Sequence, residues 1–250
     1  MKKFLRRVTA IFIVVILVLA TLFVFWASDA APASDVALQA LNSDSQTFVT
    51  IENGWATFYP ANNQQSETGF IFYPGGKVDY RAYAPLMNMI ADEGYFVVVM
   101  PVPLNLAMFD INVAARIQAE YPEIKNWFVG GHSLGGVAAA SYGGSHPDIK
   151  GVVLWASNSA DDSLKINNMP TLLVYGTQDG LFPLEMVEDA RALLPEDTIY
   201  VAIDGGNHAQ FGSYGLQAGD YTATISPLEQ WTQTVDATVE FMQNTLSVSP

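Results

Sequence analysis

The sequence predicts an α/β domain, a mostly parallel central sheet with helices on both faces, preceded by an apolar helix of membrane-crossing length. Three observations carry this. From residue 69 onward, short continuous apolar runs alternate with segments of helical periodicity, the pattern of strands covered on both faces by crossover helices. Four of those runs end in glycine-containing loops, at 74–77, 130–136, 176–183 and 204–212, and open parallel sheets bind ligands at the carboxyl ends of their strands. Residues 8–26 are nineteen consecutive uncharged residues, about what a helix needs to cross hydrocarbon.

The chain has 250 residues, half of them apolar, and no cysteine. That is enough for one large domain, and it excludes disulfides, thiolate metal sites and a cysteine nucleophile. The formal charge of −14 is uneven: Lys2, Lys3, Arg6 and Arg7 crowd the start, while from residue 28 onward seven basic residues face 25 acidic ones. So acidic a body is a poor nucleic-acid binder and is not drawn to anionic lipid. Its charge reads as a solvated surface.

Basic residues before the apolar span and Asp29 and Asp35 after it place the N-terminus in the cytoplasm and the body outside. Small residues at 27–33 would also suit a signal peptidase, which would make the body a secreted protein. The apolar run exceeds the roughly 7–15 residues of a signal core, which favours an uncleaved anchor. Residues 28–46, rich in Ala, Ser and Asp, read as a linker with one short helical turn near 36–41. The expected organisation is 1–27 stub and signal-anchor helix, 28–46 linker, and 47–250 the α/β domain.

Strands at 47–52 and 55–59 flank Asn53-Gly54, a strong hairpin signal. A polar loop follows, then a buried strand at 69–73. Residues 83–93 have helical spacing, with Pro85 in the first turn and Gly94 as a stop. The next strand is 95–100, followed by a weaker helix over 106–120 ending before Pro122 and a strand at 127–129. Further strands fall at 151–156, 171–175 and 198–203, with a helix at 183–194. Leu228, Trp231, Val235, Met242 and Leu246 mark a closing amphipathic helix.

Gly131-His132-Ser133-Leu134-Gly135 is a G-x-S-x-G turn between strand and helix. Side chains two residues either side of the serine would collide there, and the turn presents the Ser133 hydroxyl and the Leu134 N–H to one point. In Pro74-Gly75-Gly76-Lys77, Gly76 is the choice for a second oxyanion donor, with Gly75 and Lys77 as register alternatives. Asp179 follows the strand at 171–175 and could hold a histidine in one tautomer, with Asp161 and Asp162 in reserve. Of three histidines, His146 reads as a helix-end residue and His132 is expected to point away, leaving His208 as the general base a serine nucleophile requires. No carboxylate or histidine cluster suggests a metal, and neither a P-loop nor a dinucleotide fingerprint suggests a cofactor.

With these motifs in place, the chain resembles the α/β-hydrolase superfamily across nearly all of residues 47–246. The serine turn, the G-T-x-D pattern at 176–179 and the G-x-x-H pattern at 205–208 occur in that family's order of Ser, Asp, His. The resemblance implies Ser133 as nucleophile, His208 as base, Asp179 as orienting acid, and the N–H groups of Leu134 and Gly76 as the oxyanion hole. Many esterases of the family carry histidine where this chain has Pro74, and the gap between residues 156 and 171 is too short for a helical cap. The chain is similar to the dienelactone-hydrolase-like branch, with Ser133 in place of cysteine, and lidless.

The resulting expectation is a membrane-anchored extracytoplasmic serine hydrolase acting on a small or exposed carboxylic ester, with an amide or a thioester as the alternative bond. The segment 211–225 should line the site through Tyr214 and Gln217, and Tyr221 with them. The alternatives are a catalytically silent binding protein of the same fold and an acyltransferase.

Overall fold

An Asn-Gly pair starts the sheet. Asn53 and Gly54 both take positive φ, 54° and 90°, and the two-residue turn pairs strand β1 (Thr47–Glu52) with β2 (Trp55–Pro60) in register, Glu52 opposite Trp55. The structure, a computed structural model, describes residues 2–60 and 66–248. Part of the polar loop expected after the hairpin lies outside the described residues. Beyond it run β3 (Thr68–Tyr73), β4 (Phe96–Val99), β5 (Asn126–His132), β6 (Ile149–Trp155), β7 (Thr171–Gly176) and β8 (Ile199–Ile203).

The eight strands form one sheet in the order β1-β2-β4-β3-β5-β6-β7-β8. The hairpin joins antiparallel through β2 and β4, and every pairing from β4 to β8 is parallel. Parallel strands need crossovers, which are supplied by α3 (Ala84–Asp92), α4 (Val113–Glu120), α5 (Leu134–Ser145), the short α6 (Ser163–Ile166) and α7 (Leu184–Ala190), with α8 (Pro227–Val248) closing the chain. Ahead of them lie α1 (Lys2–Ser28) and α2 (Asp35–Gln39).

Alternation along β6 shows how the faces are covered. A Cβ on Gly151 would meet the Phe241 ring of α8, and the Trp155 indole donates to Thr238 Oγ1 of α8 at 3.2 Å. Val152, out of phase with both, packs against Gly143 of α5. The two helices therefore take opposite faces, and the strands read as unbroken apolar runs because neither face meets water. Trp155 is fully buried, with Phe72 4.5 Å away between ring centroids.

Two segments differ from expectation. The helix expected over 106–120 exists only as α4; before it the chain makes two 3-10 turns at Pro103–Asn105 and Ala107–Phe109. Leu104 and Asn105 have positive φ, which ends helical propagation there. The linker, which forms its helical turn as α2, is also held against the domain. Ala31 N donates to Lys77 O at 2.7 Å and Ala31 O accepts from Asp79 N at 2.9 Å, while Ser34 N donates to Ser213 O at 2.8 Å. Ala27 at the end of α1 is wholly buried, its carbonyl accepting from Asn105 Nδ2 at 3.0 Å. The rest of α1 is exposed; by length and composition it could cross a membrane.

Trp155→Ala should lower stability by about 3–5 kcal/mol, because the space between sheet and α8 cannot collapse around a rigid strand. A guanidinium titration of the detergent-solubilised chain measures this; a loss under about 1 kcal/mol would mean that α8 does not depend on that contact.

Candidate active site

One residue separates β5 from α5. Ser133 has φ 52° and ψ −123°, a backbone conformation a non-glycine residue holds only when its surroundings over-determine it. They do: Ser133 N donates to Trp155 O at 2.9 Å, and Ser133 O accepts from Gly136 N at 3.0 Å and from Ser157 Oγ at 2.6 Å. The flanking glycines are required by backbone contact. A Cβ on Gly131 would lie 2.4 Å from the Gly135 carbonyl carbon, and one on Gly135 would lie 2.3 Å from the carbonyl oxygens of both Tyr73 and Pro74. The start of α5 is thereby seated against the end of β3.

At the ends of β7 and β8 the structure brings Asp179 and His208 together. His208 Nδ1 donates to Asp179 Oδ2 at 2.8 Å, and the two residues are 2% and 3% exposed. The other carboxylate oxygen accepts from Leu181 N at 2.8 Å and Phe182 N at 2.6 Å, so the acid is fixed at both ends. Two side chains not singled out from sequence hold the histidine loop. Gln230 of α8 accepts from Asn207 N at 3.0 Å and donates to Asn207 O at 2.8 Å. Asp220 accepts from Gly180 N at 3.0 Å and from Ala209 N at 2.8 Å, tying the loop of Asp179 to that of His208. The reserve acids Asp161 and Asp162 are exposed, and Asp161 caps Ser163 N. His146 stacks on Tyr142 at the end of α5. No hydrogen bond between Ser133 Oγ and His208 is present among the described residues.

The loop after β3 offers three backbone donors. Gly75 N donates to Tyr83 Oη at 2.9 Å and Lys77 N to Asn105 O at 2.8 Å. Both register alternatives are thus occupied, while the Gly76 N–H, like that of Leu134, has no acceptor among the described residues. The two residues pack together: a Cβ on Gly76 would be 3.1 Å from Leu134 Cδ2.

His132 does not point away as expected. Its ring lies 4.4 Å from that of His208 and 5.6 Å from Phe211, and Nδ1 lies 2.9 Å from Tyr83 Oη. Since that oxygen already accepts from Gly75 N, its own hydrogen goes to Nδ1, which makes His132 neutral with its proton on Nε2. Burial, and then the nearby His208, hold the His132 pKa well below the ordinary histidine value, although the His208 backbone acts the other way. Tyr214 and Gln217 meet each other, the phenol donating to Gln217 Oε1 at 2.9 Å. Burial raises the Tyr214 pKa well above its ordinary value, with Tyr83, Asp220 and Asp179 adding to it. Tyr221 is exposed.

Tyr83→Phe removes the hydroxyl shared by Gly75 N–H and His132. Two buried polar atoms then lack partners, and a stability loss of about 1–3 kcal/mol is expected by denaturant titration; no loss would mean that the loop re-pairs elsewhere. His132 gives a pH signature. The unfolded chain protonates this imidazole near pH 6.5 and the folded chain only at lower pH. Below about pH 6.5 the unfolded state therefore binds the extra proton, and stability falls with pH by up to about 1.4 kcal/mol per unit through this group. His132→Phe abolishes that contribution, so the stability gap between wild type and variant should narrow from about pH 7 to about pH 5.5. Parallel curves would contradict a neutral His132.

Comparison with solved structures places the architecture. Est1E from Butyrivibrio proteoclasticus superimposes with a TM-score of 0.60 at 14% identity, covering 81% of this chain and 100% of that one. The esterase domain of a Rhodothermus marinus protein gives 0.58 at 16% identity, over 78% and 97%. A membrane phospholipase A described as a bacterial virulence factor gives 0.60 at 14% identity, over 99% and 100%. No curated protein matches in sequence. Residues 69–232, from the first parallel strand into the closing helix, match the alpha/beta hydrolase family, and the chain belongs to that family.

Proposed function

We infer that the protein is a serine hydrolase that cleaves a carboxylic ester through an acyl-enzyme, anchored by α1 with its domain outside the cytoplasm. The observation that carries this is the buried Asp179–His208 hydrogen bond of 2.8 Å, at strand ends beside the strained Ser133. Solved neighbours described as an esterase domain and as a membrane phospholipase A lend support.

The chemistry follows from the roles. Ser133 Oγ attacks the ester carbonyl while His208 Nε2 takes its proton, and Asp179 holds the other ring nitrogen and stabilises the imidazolium that forms. The negative charge that develops on the carbonyl oxygen is met by the N–H groups of Leu134 and Gly76, two donors without an acceptor among the described residues. Collapse expels the alcohol, which receives the proton from His208. Water then attacks the acyl-serine by the same route. Tyr214, close enough to Asp179 to feel its charge, and its partner Gln217 are assigned to the border of the substrate.

Ser133→Ala should lower turnover of p-nitrophenyl acetate by about a thousandfold or more and abolish labelling by a fluorophosphonate probe. Asp179→Asn should cost about 10³–10⁴-fold in kcat. Undiminished turnover and labelling of the Ser133→Ala chain would remove the proposed nucleophile.

A further inference from the structure

The end of α1 and the Gly76 loop share their neighbours. The edge of Phe109 meets the Phe23 ring at 6.1 Å, the Lys77 ammonium lies 4.6 Å from the Trp26 ring centroid, and Asn105 holds the Ala27 carbonyl. Lys77 directly follows Gly76. Asn105 precedes Leu106, whose Cδ2 would touch a Cβ placed on Gly76 at 3.5 Å. The residues that grip the helix are thus chain neighbours of those facing the reacting oxygen.

Length sets how deep this contact lies. Residues 8–26 span about 28 Å as a helix, against about 30 Å of hydrocarbon. A helix that only just spans brings its last turn, with Phe23 and Trp26, to the outer interface, where aromatic and basic side chains are at home. Whatever touches that turn is then at headgroup depth. Met108 and Phe109, 39% and 55% exposed, extend this apolar contact outward from the helix.

The geometry points to a site mouth held against the outer surface of the membrane that carries α1, with acyl esters of membrane lipids as the substrate class. This rests on the serine ester hydrolase reading above and specifies its substrate. The ester carbonyls of glycerolipids lie between headgroup and hydrocarbon, at the depth of the helix end. At that depth the site need bury no acyl chain: the carbonyl enters and the chain stays in the bilayer. In the first step the Ser133 Oγ–acyl bond forms and the acyl–glycerol C–O bond breaks, with the serine proton passing through His208 to the glycerol oxygen. Water then releases the fatty acid and restores the serine. The excess of acidic residues beyond residue 28 disfavours anionic headgroups and selects zwitterionic lipids.

The test uses the full chain reconstituted in phosphatidylcholine vesicles, with fatty-acid release from the bilayer and p-nitrophenyl acetate turnover measured side by side. A second chain carries a flexible Gly-Ser spacer of about sixteen residues between Ser28 and Asp29, with a reach of about 20 Å. The spacer keeps the anchor and the Ala31 and Ser34 contacts but frees the domain from the surface. The expected result is fatty-acid release that falls tenfold or more with the spacer, while p-nitrophenyl acetate turnover stays within about twofold. A chain that turns over p-nitrophenyl acetate yet releases no fatty acid overturns the lipid assignment and leaves the esterase reading intact, and release that is equal with the spacer overturns the membrane-held mouth. A chain that turns over neither overturns both. Because the chain lacks cysteine, Met108→Cys and Glu196→Cys each give one labelling site, at the mouth and at the opposite end of the sheet. A fluorophore at 108 should be quenched by headgroup-labelled lipid and one at 196 should not; equal quenching overturns the orientation whatever the activity.

Discussion

Backbone touches backbone where β5 turns into α5. With no Cβ on Gly131 or Gly135, the helix start lies directly on the carbonyl ends of β3 and β5, and the residue between them is forced to a positive φ. The close approach sets the position of the Leu134 N–H relative to Gly76, and through His132 the position of the His208 ring. A single methyl at either glycine would push against main chain, which cannot rotate away as a side chain can. The rest of the site is arranged around this fixed point.

The support around that point is layered by hydrogen-bond capacity. Tyr83 accepts from Gly75 and donates to His132, so one hydroxyl fixes both the loop after β3 and the ring that lies against His208. Gln230 spends both ends of its amide on Asn207, and Asp220 bridges two loops with its two oxygens. The carboxylate and amide groups of Asp179, Asp220 and Gln230 are thus held by main-chain donors and acceptors of the neighbouring loops. His132 Nε2 is a buried ring nitrogen without a hydrogen-bond partner among the described residues, and burial first and His208 second keep this imidazole neutral.

The parallel strands were legible because burial on both faces leaves unbroken apolar runs, and the hairpin because Asn53-Gly54 suits two positive φ values. Ser133, Asp179 and His208 were legible because each sits in a glycine-marked loop just past such a run. His132 was misread because strand alternation predicts that the residue next to the serine turns its side chain away, whereas the fold sets its ring against Tyr83 and His208. Gln230 and Asp220 carry no local signal, since a polar residue in a helix or loop looks solvated until the fold brings it to its partner. The docking of residues 27–34 was hidden for a different reason. Its contacts are mostly main-chain hydrogen bonds made by alanine and serine, and such bonds leave no mark on composition.

The short bridge between Ala31 and Val78, followed by the Ser34–Ser213 pair, bears on the order of assembly. Ala31 must wait for a partner 47 residues further along, and Ser34 for one 179 residues further along. Contacts so distant in sequence are the last to repay the entropy of closing their loops. A chain made from its N-terminus therefore synthesises this segment first and seats it last. Proteolysis of the segment during refolding would accordingly report completion of the domain beneath it.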